Sequence, residues 1–148
     1  MPQPQNSPYI SFPGNAAEVL AHWHELFGGT LEQMTYGEIP NLSDFPFTPP
    51  RGAVAHATLT GGLFTVSGGD AIGGPGDELP PLDSDVYSFL IGLEDVESAK
   101  SLFARIAEGG GKVAMPFELA PWGDHYGQVV DRFGVMFALV VGGSSAQS

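Results

Sequence analysis

The chain has 148 residues and 43% hydrophobic content, the size and composition of one compact domain or of two half-domains that share a core. Its 17 acidic and five basic residues give a formal charge of -12, which would repel nucleic acid and an anionic membrane surface. There is no cysteine, which excludes disulfides, a thiolate nucleophile and thiolate metal ligands. Because the chain carries neither a signal-peptide pattern nor a run of about 20 apolar residues, we predict a cytoplasmic protein.

The first half predicts a strand, a helix and three further strands. The segment YISF reads as a strand, and AAEVLAHWHELF places apolar residues at helical spacing. Asn15 before that helix, with Glu18 three positions on, is a capping-box pattern, and a pair of glycines ends the helix. TLEQMTY, AVAHATLTGG and LFTVSGG follow as strands, the last two forming a hairpin.

The second half repeats this order. VYSFLIGL is a strand, Asp95 caps the helix VESAKSLFARIAE, and KVAMPF, HYGQVVD and VMFALVV follow as strands. Matching Asn15 to Asp95 also puts Trp23 on Phe103 without a gap. We therefore predict an α+β fold of two βαβββ modules, residues 8–70 and 85–141, in one compact domain. Residues 1–7 are expected to be a flexible terminus, 71–84 a connector rich in glycine and proline, and 142–148 a disordered tail.

Four segments carry the pattern of a known family: PYISFPGNAAEVLAHWHELFGG, VAHATLTGGLFTVSGGD, LEDVESAKSLFARIAEGGGKVAMPF and WGDHYGQVVDRFGV. Together they resemble the PhnB-like branch of the glyoxalase and bleomycin-resistance superfamily, also called vicinal oxygen chelate proteins. The resemblance runs from about Pro8 to Val141. It implies a curved antiparallel sheet from each module, the two enclosing a cleft, and a homodimer.

The resemblance also implies where a metal site would be. In metal-dependent members, ligands come from the first and last strands of each module, as an imidazole or amide and a carboxylate. The matching positions here are Tyr9 (or Pro8), Thr65, Ser88 and Ala138, and none is His, Asp or Glu. We therefore predict no metal at the usual site and no cofactor, while a nonstandard ligand set stays open.

His56 is the candidate catalytic residue. It lies in the strand AVAHATL, where PhnB-like chains carry a histidine, and period-two alternation places it on the face of Val54 and Thr58. An imidazole can act as an acid, a base or a hydrogen-bond donor near neutral pH. The alternative is a structural histidine bonded to a backbone group.

Aromatic residues and one further histidine are the candidate ligand-binding groups. They lie at the start of the first strand, in the proline-rich loop NLSDFPFTPPRG and in the turn WGDHYG, where planar rings could stack on a ligand. The alternatives are core packing for the rings and exposure to solvent for the histidine. The predicted set is Tyr9, Phe45, Phe47, Trp122, His125 and Tyr126.

These features favour a protein that binds a small organic molecule in a cleft between the modules, and the acidic charge favours a cationic ligand. The alternative is a glyoxalase- or dioxygenase-type enzyme that uses His56 or a nonstandard metal site. A third interpretation is a dimer whose role is interaction. No glycine-rich S-adenosylmethionine motif in a Rossmann setting is present, so methyl transfer is unsupported.

Overall fold

The computed structural model describes residues 6–40, 50–72, 79 and 81–142, and the chain divides into two compact units, Met1–Pro81 (unit 1) and Leu82–Ser148 (unit 2). Each unit contains a four-stranded sheet and one α-helix that packs on it. The predicted α+β fold of two βαβββ modules is confirmed. Neither helix in the described ranges is long and apolar enough to cross a bilayer.

Unit 1 follows the predicted order, with a short 3-10 turn at Tyr36–Glu38 after its second strand. Its sheet has the order β1-β4-β3-β2, so β4 lies between β1 and β3. The elements are β1 (Tyr9–Phe12), α1 (Ala16–Phe27), β2 (Thr30–Thr35), β3 (Val54–Thr60) and β4 (Val66–Asp70).

Unit 2 has the same topology, with the sheet order β5-β8-β7-β6. Its outer strand β6 contains Pro116 and two register irregularities against β7, features that are tolerated at the edge of a sheet. The elements are β5 (Phe89–Gly92), α2 (Val96–Glu108), β6 (Lys112–Leu119), β7 (His125–Val130) and β8 (Met136–Val141).

Both sheets are mixed, which corrects the antiparallel sheets that the resemblance implied. β1 pairs with β4 in parallel, and β5 pairs with β8 in parallel, while the other neighbours are antiparallel. The helix is the reason: a crossover through a helix returns the chain in its original direction, so β2 runs parallel to β1. Two antiparallel reversals then bring β4 back to that same direction.

The helices bury the faces that the sequence pattern predicted. Trp23 is fully buried and contacts the rings of Phe12 and Phe64, at centroid distances of 5.9 and 5.6 Å. Its match in unit 2, Phe103, is 8% exposed and contacts the ring of Phe117. The residues that the gapless alignment of the two helices pairs, Trp23 and Phe103, therefore both belong to the core of their unit.

The two helices begin differently. Asp95 caps α2 as predicted, because its carboxylate accepts a hydrogen bond from the Ser98 amide at 3.1 Å. Asn15 precedes α1 but makes no side-chain cap bond, and its buried Oδ1 has no hydrogen-bond partner among the residues that the structure describes. The capping box expected with Glu18 is thus wrong. The first amide of α1, that of Ala16, instead donates to Asp70 Oδ1 at 2.8 Å, from the far end of β4.

Candidate functional site

The face of the unit 1 sheet opposite α1, here called open face 1, carries hydroxyl, imidazole and phenol groups. The strand register fixes its members: Tyr9 on β1 pairs with Ser67 on β4, and Ser67 pairs with Thr58 on β3. The next residues on the other side of each strand, such as Leu59 and Val66, are fully buried against the helix. Open face 1 is therefore a polar surface carried by a rigid sheet.

Two side-chain contacts organise open face 1. The rings of Tyr9 and His56 stack with their centroids 5.9 Å apart and an interplanar angle of 23°. Beside them the hydroxyls of Ser7 and Ser67 lie 2.9 Å apart. Tyr9 is 58% exposed and His56 is exposed, so the stacked pair presents two accessible rings next to a hydroxyl pair. This arrangement can stack on a planar ligand and bond its polar edge.

A β-bulge beside His56 changes the predicted alternation. Met34 pairs with His56 and Thr35 pairs with Val54, so Ala55 is an extra residue in β3. Val54 is 1% exposed and belongs to the core, whereas His56 is exposed on the open face. The prediction that His56 shares a face with Val54 was therefore wrong, because the bulge breaks the two-residue period. The shared face with Thr58 agrees with the structure.

The end of β4 supports this bulge. The Val54 amide donates to Asp70 Oδ2 at 2.8 Å, so one carboxylate holds both the bulged strand and the start of α1. A methyl group built on Gly69 would lie 2.7 Å from the Ala55 carbonyl oxygen, which is closer than real Cβ contacts come. Sequence reasoning missed Ser67, Gly69 and Asp70. The only signal was the pair of glycines in a strand pattern, which often marks a bulge or a close backbone approach.

The corresponding face of the unit 2 sheet, open face 2, is largely apolar. Leu90 on β5 is 66% exposed, and Ala138 lies between Leu90 and Gln128. Its polar feature is a hydrogen bond of 3.0 Å from Gln128 Nε2 to the Tyr126 hydroxyl. Trp122, 64% exposed, meets the Tyr126 ring edge-on at 6.0 Å. Open face 2 thus offers an aromatic pair and one polar edge.

Not every predicted site residue lies on these faces. His125 precedes Tyr126 in β7 and so points to the opposite side of the sheet, where its ring stacks on Phe117 at 6.0 Å. The structure therefore does not bring His125 and Tyr126 together. Phe45 and Phe47 lie outside the described residues. Tyr9 joins His56 in unit 1, and Trp122 joins Tyr126 in unit 2.

The register also refines the positions expected for a metal. Ser67, not Thr65, is the partner of Tyr9 in β4, and Leu90, not Ser88, is the partner of Ala138 in β8. A phenol, a hydroxyl and two aliphatic side chains are not the nitrogen and carboxylate donors that hold a divalent ion. Within the part of the chain that the structure describes, no three His, Asp or Glu side chains are grouped to hold a metal.

A cavity of about 600 Å³ lies elsewhere in unit 1, at the start of α1. Its lining includes Asn15, Glu18 and Asp70 together with Ile72 and Leu79. Both oxygens of Asp70 already accept backbone hydrogen bonds there. Asp70 therefore has a structural role in the wall of this cavity.

The fold and the paired modules define a class of protein, and comparison with known families agrees. The sequence profile described as the Glyoxalase/Bleomycin resistance protein/Dioxygenase superfamily matches residues 8–139. The chain belongs to this superfamily.

Individual relatives match this chain over most of its length. The protein YjdN from Escherichia coli (strain K12) is 29% identical over 145 residues, covering 91% of this chain and 93% of the relative. The solved structure of protein PA1353 from Pseudomonas aeruginosa is 30% identical with a TM-score of 0.74, covering 96% of this chain and 100% of the other. The PhnB protein from Bacillus cereus shares the fold with a TM-score of 0.67 at 21% identity, covering 93% and 99% of the two chains.

Proposed function

We propose that this chain binds a small, planar organic molecule on open face 1, with Tyr9 and His56 as the stacking pair. The observation that carries the proposal is the exposed stack itself, 5.9 Å between centroids, beside the hydroxyl pair Ser7 and Ser67. Exposed aromatic rings held on a sheet offer contact area at little cost in conformational entropy. Trp122 and Tyr126 on open face 2 are a second, weaker candidate surface.

Charge favours a cationic ligand. Residues 1–81 contain eight acidic residues and one basic residue, Arg51, whose guanidinium donates to the Gly37 carbonyl at 3.0 Å. Glu32 lies on open face 1, since it pairs with Thr58, and it is exposed. A cation over the Tyr9 ring would gain from the negative face of the ring and from the overall acidic charge of residues 1–81.

The test compares N-methylquinolinium with quinoline, a pair of similar shape in which only the first carries a fixed charge. Titration calorimetry should detect binding of N-methylquinolinium and should give weaker binding of quinoline. Tyr9→Leu and His56→Gln should each lower the affinity for the cation by about tenfold, or 1.4 kcal/mol. Equal binding of both compounds would refute the preference for a cation.

Matched controls are residues that do not belong to open face 1. Tyr87→Leu removes a phenol of similar exposure, 62% against the 58% of Tyr9, and should leave binding unchanged. His24→Gln changes a histidine of α1 whose Nε2 lies 2.9 Å from the Gly29 carbonyl, and should also leave it unchanged. Binding that fell equally in the controls would show that open face 1 is not the site.

A second candidate is an enzyme that uses His56 as an acid or base, and the exposure of that imidazole favours it. Recovery of a bound ligand unchanged after long incubation, checked by mass spectrometry, favours binding alone. A His56-dependent product would favour the enzyme.

Metal independence, a homodimer and a cytoplasmic location belong to the same proposal. Elemental analysis of freshly purified protein should give far less than one divalent ion per chain. Ligand binding should survive chelation, and light scattering should give twice the chain mass. A stoichiometric metal required for binding would overturn the first point, and a monomer the second.

A further inference from the structure

We propose that Gly69 is a positioning residue: by leaving room for the bulged backbone at Ala55, it sets the His56 ring against Tyr9. The role of Gly69 in ligand binding rests on the proposed function, whereas its role in placing the His56 ring does not. Gly69 has no side chain, so it makes no side-chain contact with either ring. It acts through the backbone of β3.

The backbone of β3 leaves no room for a side chain at residue 69. An alanine methyl at residue 69 would meet the carbonyl oxygens of Ala55 and Val54 at 2.7 and 3.1 Å. Both contacts are to backbone atoms, which cannot rotate away as a flexible side chain would. The bulge at Ala55 therefore requires the missing side chain at residue 69.

The bulge at Ala55 sets the direction in which His56 points. Along a regular strand, residues two apart share a face. Val54 and His56 are two apart, yet Val54 is buried in the core and His56 is exposed. Only the extra residue between them allows both, so losing the bulge would take one of the two away from its face.

The strand between His56 and Tyr9 leaves space for their two rings to meet. Their strands, β3 and β1, are not neighbours, and β4 lies between them. Ser11 of β1 pairs with Gly69, so no β4 side chain stands at this position of open face 1. The two rings meet above β4 at 5.9 Å.

The experiment reads the ring protons of His56 by NMR in the full chain, whose four histidines give a simple set of signals. His56→Gln assigns the signal, and Tyr9→Leu gives the shift expected when the stack is lost. Gly69→Ala should reproduce most of that shift. Gly52→Ala is the matched control, since a methyl there meets no heavy atom of the described residues within 4 Å, and it should leave the His56 signal in place.

Asp70→Asn keeps the size of the side chain but leaves one acceptor oxygen for the amides of Val54 and Ala16. The side chain then holds Val54 less firmly, so the His56 signal should move in the same direction by less. If Gly69→Ala does not fold, Asp70→Asn tests the positioning role in its place. An unmoved His56 signal in a folded variant would overturn the proposal. Loss of folding in both variants would also overturn it, because these residues would then serve the whole unit.

Binding of N-methylquinolinium separates the two proposals. Gly69→Ala should weaken it about tenfold, as His56→Gln does, and Gly52→Ala should not. If the wild type binds nothing while the NMR shifts behave as expected, the proposed function fails and the positioning role stands. If the cation binds to Gly69→Ala as to the wild type, with the stack intact, the positioning role fails alone.

Discussion

Units 1 and 2 share an element order and a matched helix core, but the carboxylate that bonds the first turn of the helix comes from a different place in each. In unit 2, Asp95 caps the helix that follows it, and Asp131 accepts from the amides of Phe133 and Val135, two and four residues away. In unit 1, Asp70 holds the amides of Ala16 and Val54, which are 54 and 16 residues away. Local bonds set the turns of unit 2, whereas long-range bonds assemble the site of unit 1.

The open faces differ in the same sense. Open face 1 needs three strands to bring Tyr9 and His56 together, and it carries hydroxyls and a carboxylate. Open face 2 brings Trp122 and Tyr126 together across four residues of one chain segment, beside an exposed Leu90. Two copies of one topology thus support different surface chemistry.

The largest expected effect separates the two kinds of carboxylate. Asp70→Ala should lower the free energy of unfolding by about 3 kcal/mol, because two backbone amides lose their acceptor. Asp70→Asn keeps one acceptor oxygen and should cost less. Urea denaturation measures both, and a loss from Asp70→Ala no greater than that from Asp95→Ala would break the contrast between the units.

A glycine of unit 2 gives the next effect. A methyl at Gly127 would lie 2.6 Å from Phe117 Cα and 2.9 Å from the Phe103 ring, so Gly127→Ala should destabilise the protein by about 2 kcal/mol through overpacking. Gly92→Ala is the matched control, because its methyl group would meet no heavy atom within 4 Å in the part of the chain that the structure describes. The His56 NMR signal should stay in place in both variants. A shift of that signal would mean that the site of unit 1 depends on the core of unit 2.

The cap of α2 gives a smaller effect that depends on pH. The hydrogen bond with Ser98 holds the pKa of Asp95 below its ordinary value of 3.8. A lowered pKa stabilises the fold above the ordinary value, and this gain is lost as the pH falls through the folded value. Thermal melts should therefore show Asp95→Ala less stable than wild type near neutral pH and equal to it in strong acid. A difference that is constant with pH would contradict the cap.

The smallest effect tests the helix that lacks its own cap. Asn15→Ala should change the free energy of unfolding by less than about 0.5 kcal/mol, because its side chain makes no cap bond to lose. The same denaturation series measures it beside Asp95→Ala. A loss at Asn15 as large as that at Asp95 would mean that α1 is capped locally after all.

The sequence was informative wherever the bonds are local. Apolar spacing predicted both helices and the match of Trp23 with Phe103, since a 3.6-residue period needs no knowledge of the rest of the fold. Asp95 was recognised as a cap because its partner lies three residues on. The repeated order of elements then predicted the two modules.

Long-range geometry was not readable in this way. Asn15 and Asp95 occupy matching positions and both residue types cap helices well, yet only one does so, because Asp70 arrives from β4 to bond the first turn of α1. The bulge at Ala55 has no local signature either. It depends on Gly69 in the neighbouring strand, so alternation alone placed Val54 on the wrong face.

The position of β4 between β1 and β3 has a consequence for how the protein is made. Tyr9 pairs with Ser67, and no direct β1–β3 pairing exists in the unit 1 sheet. A nascent chain that has emerged only as far as β3 lacks the strand on which both rings are supported. The stacked pair can therefore form only after β4 has emerged from the ribosome.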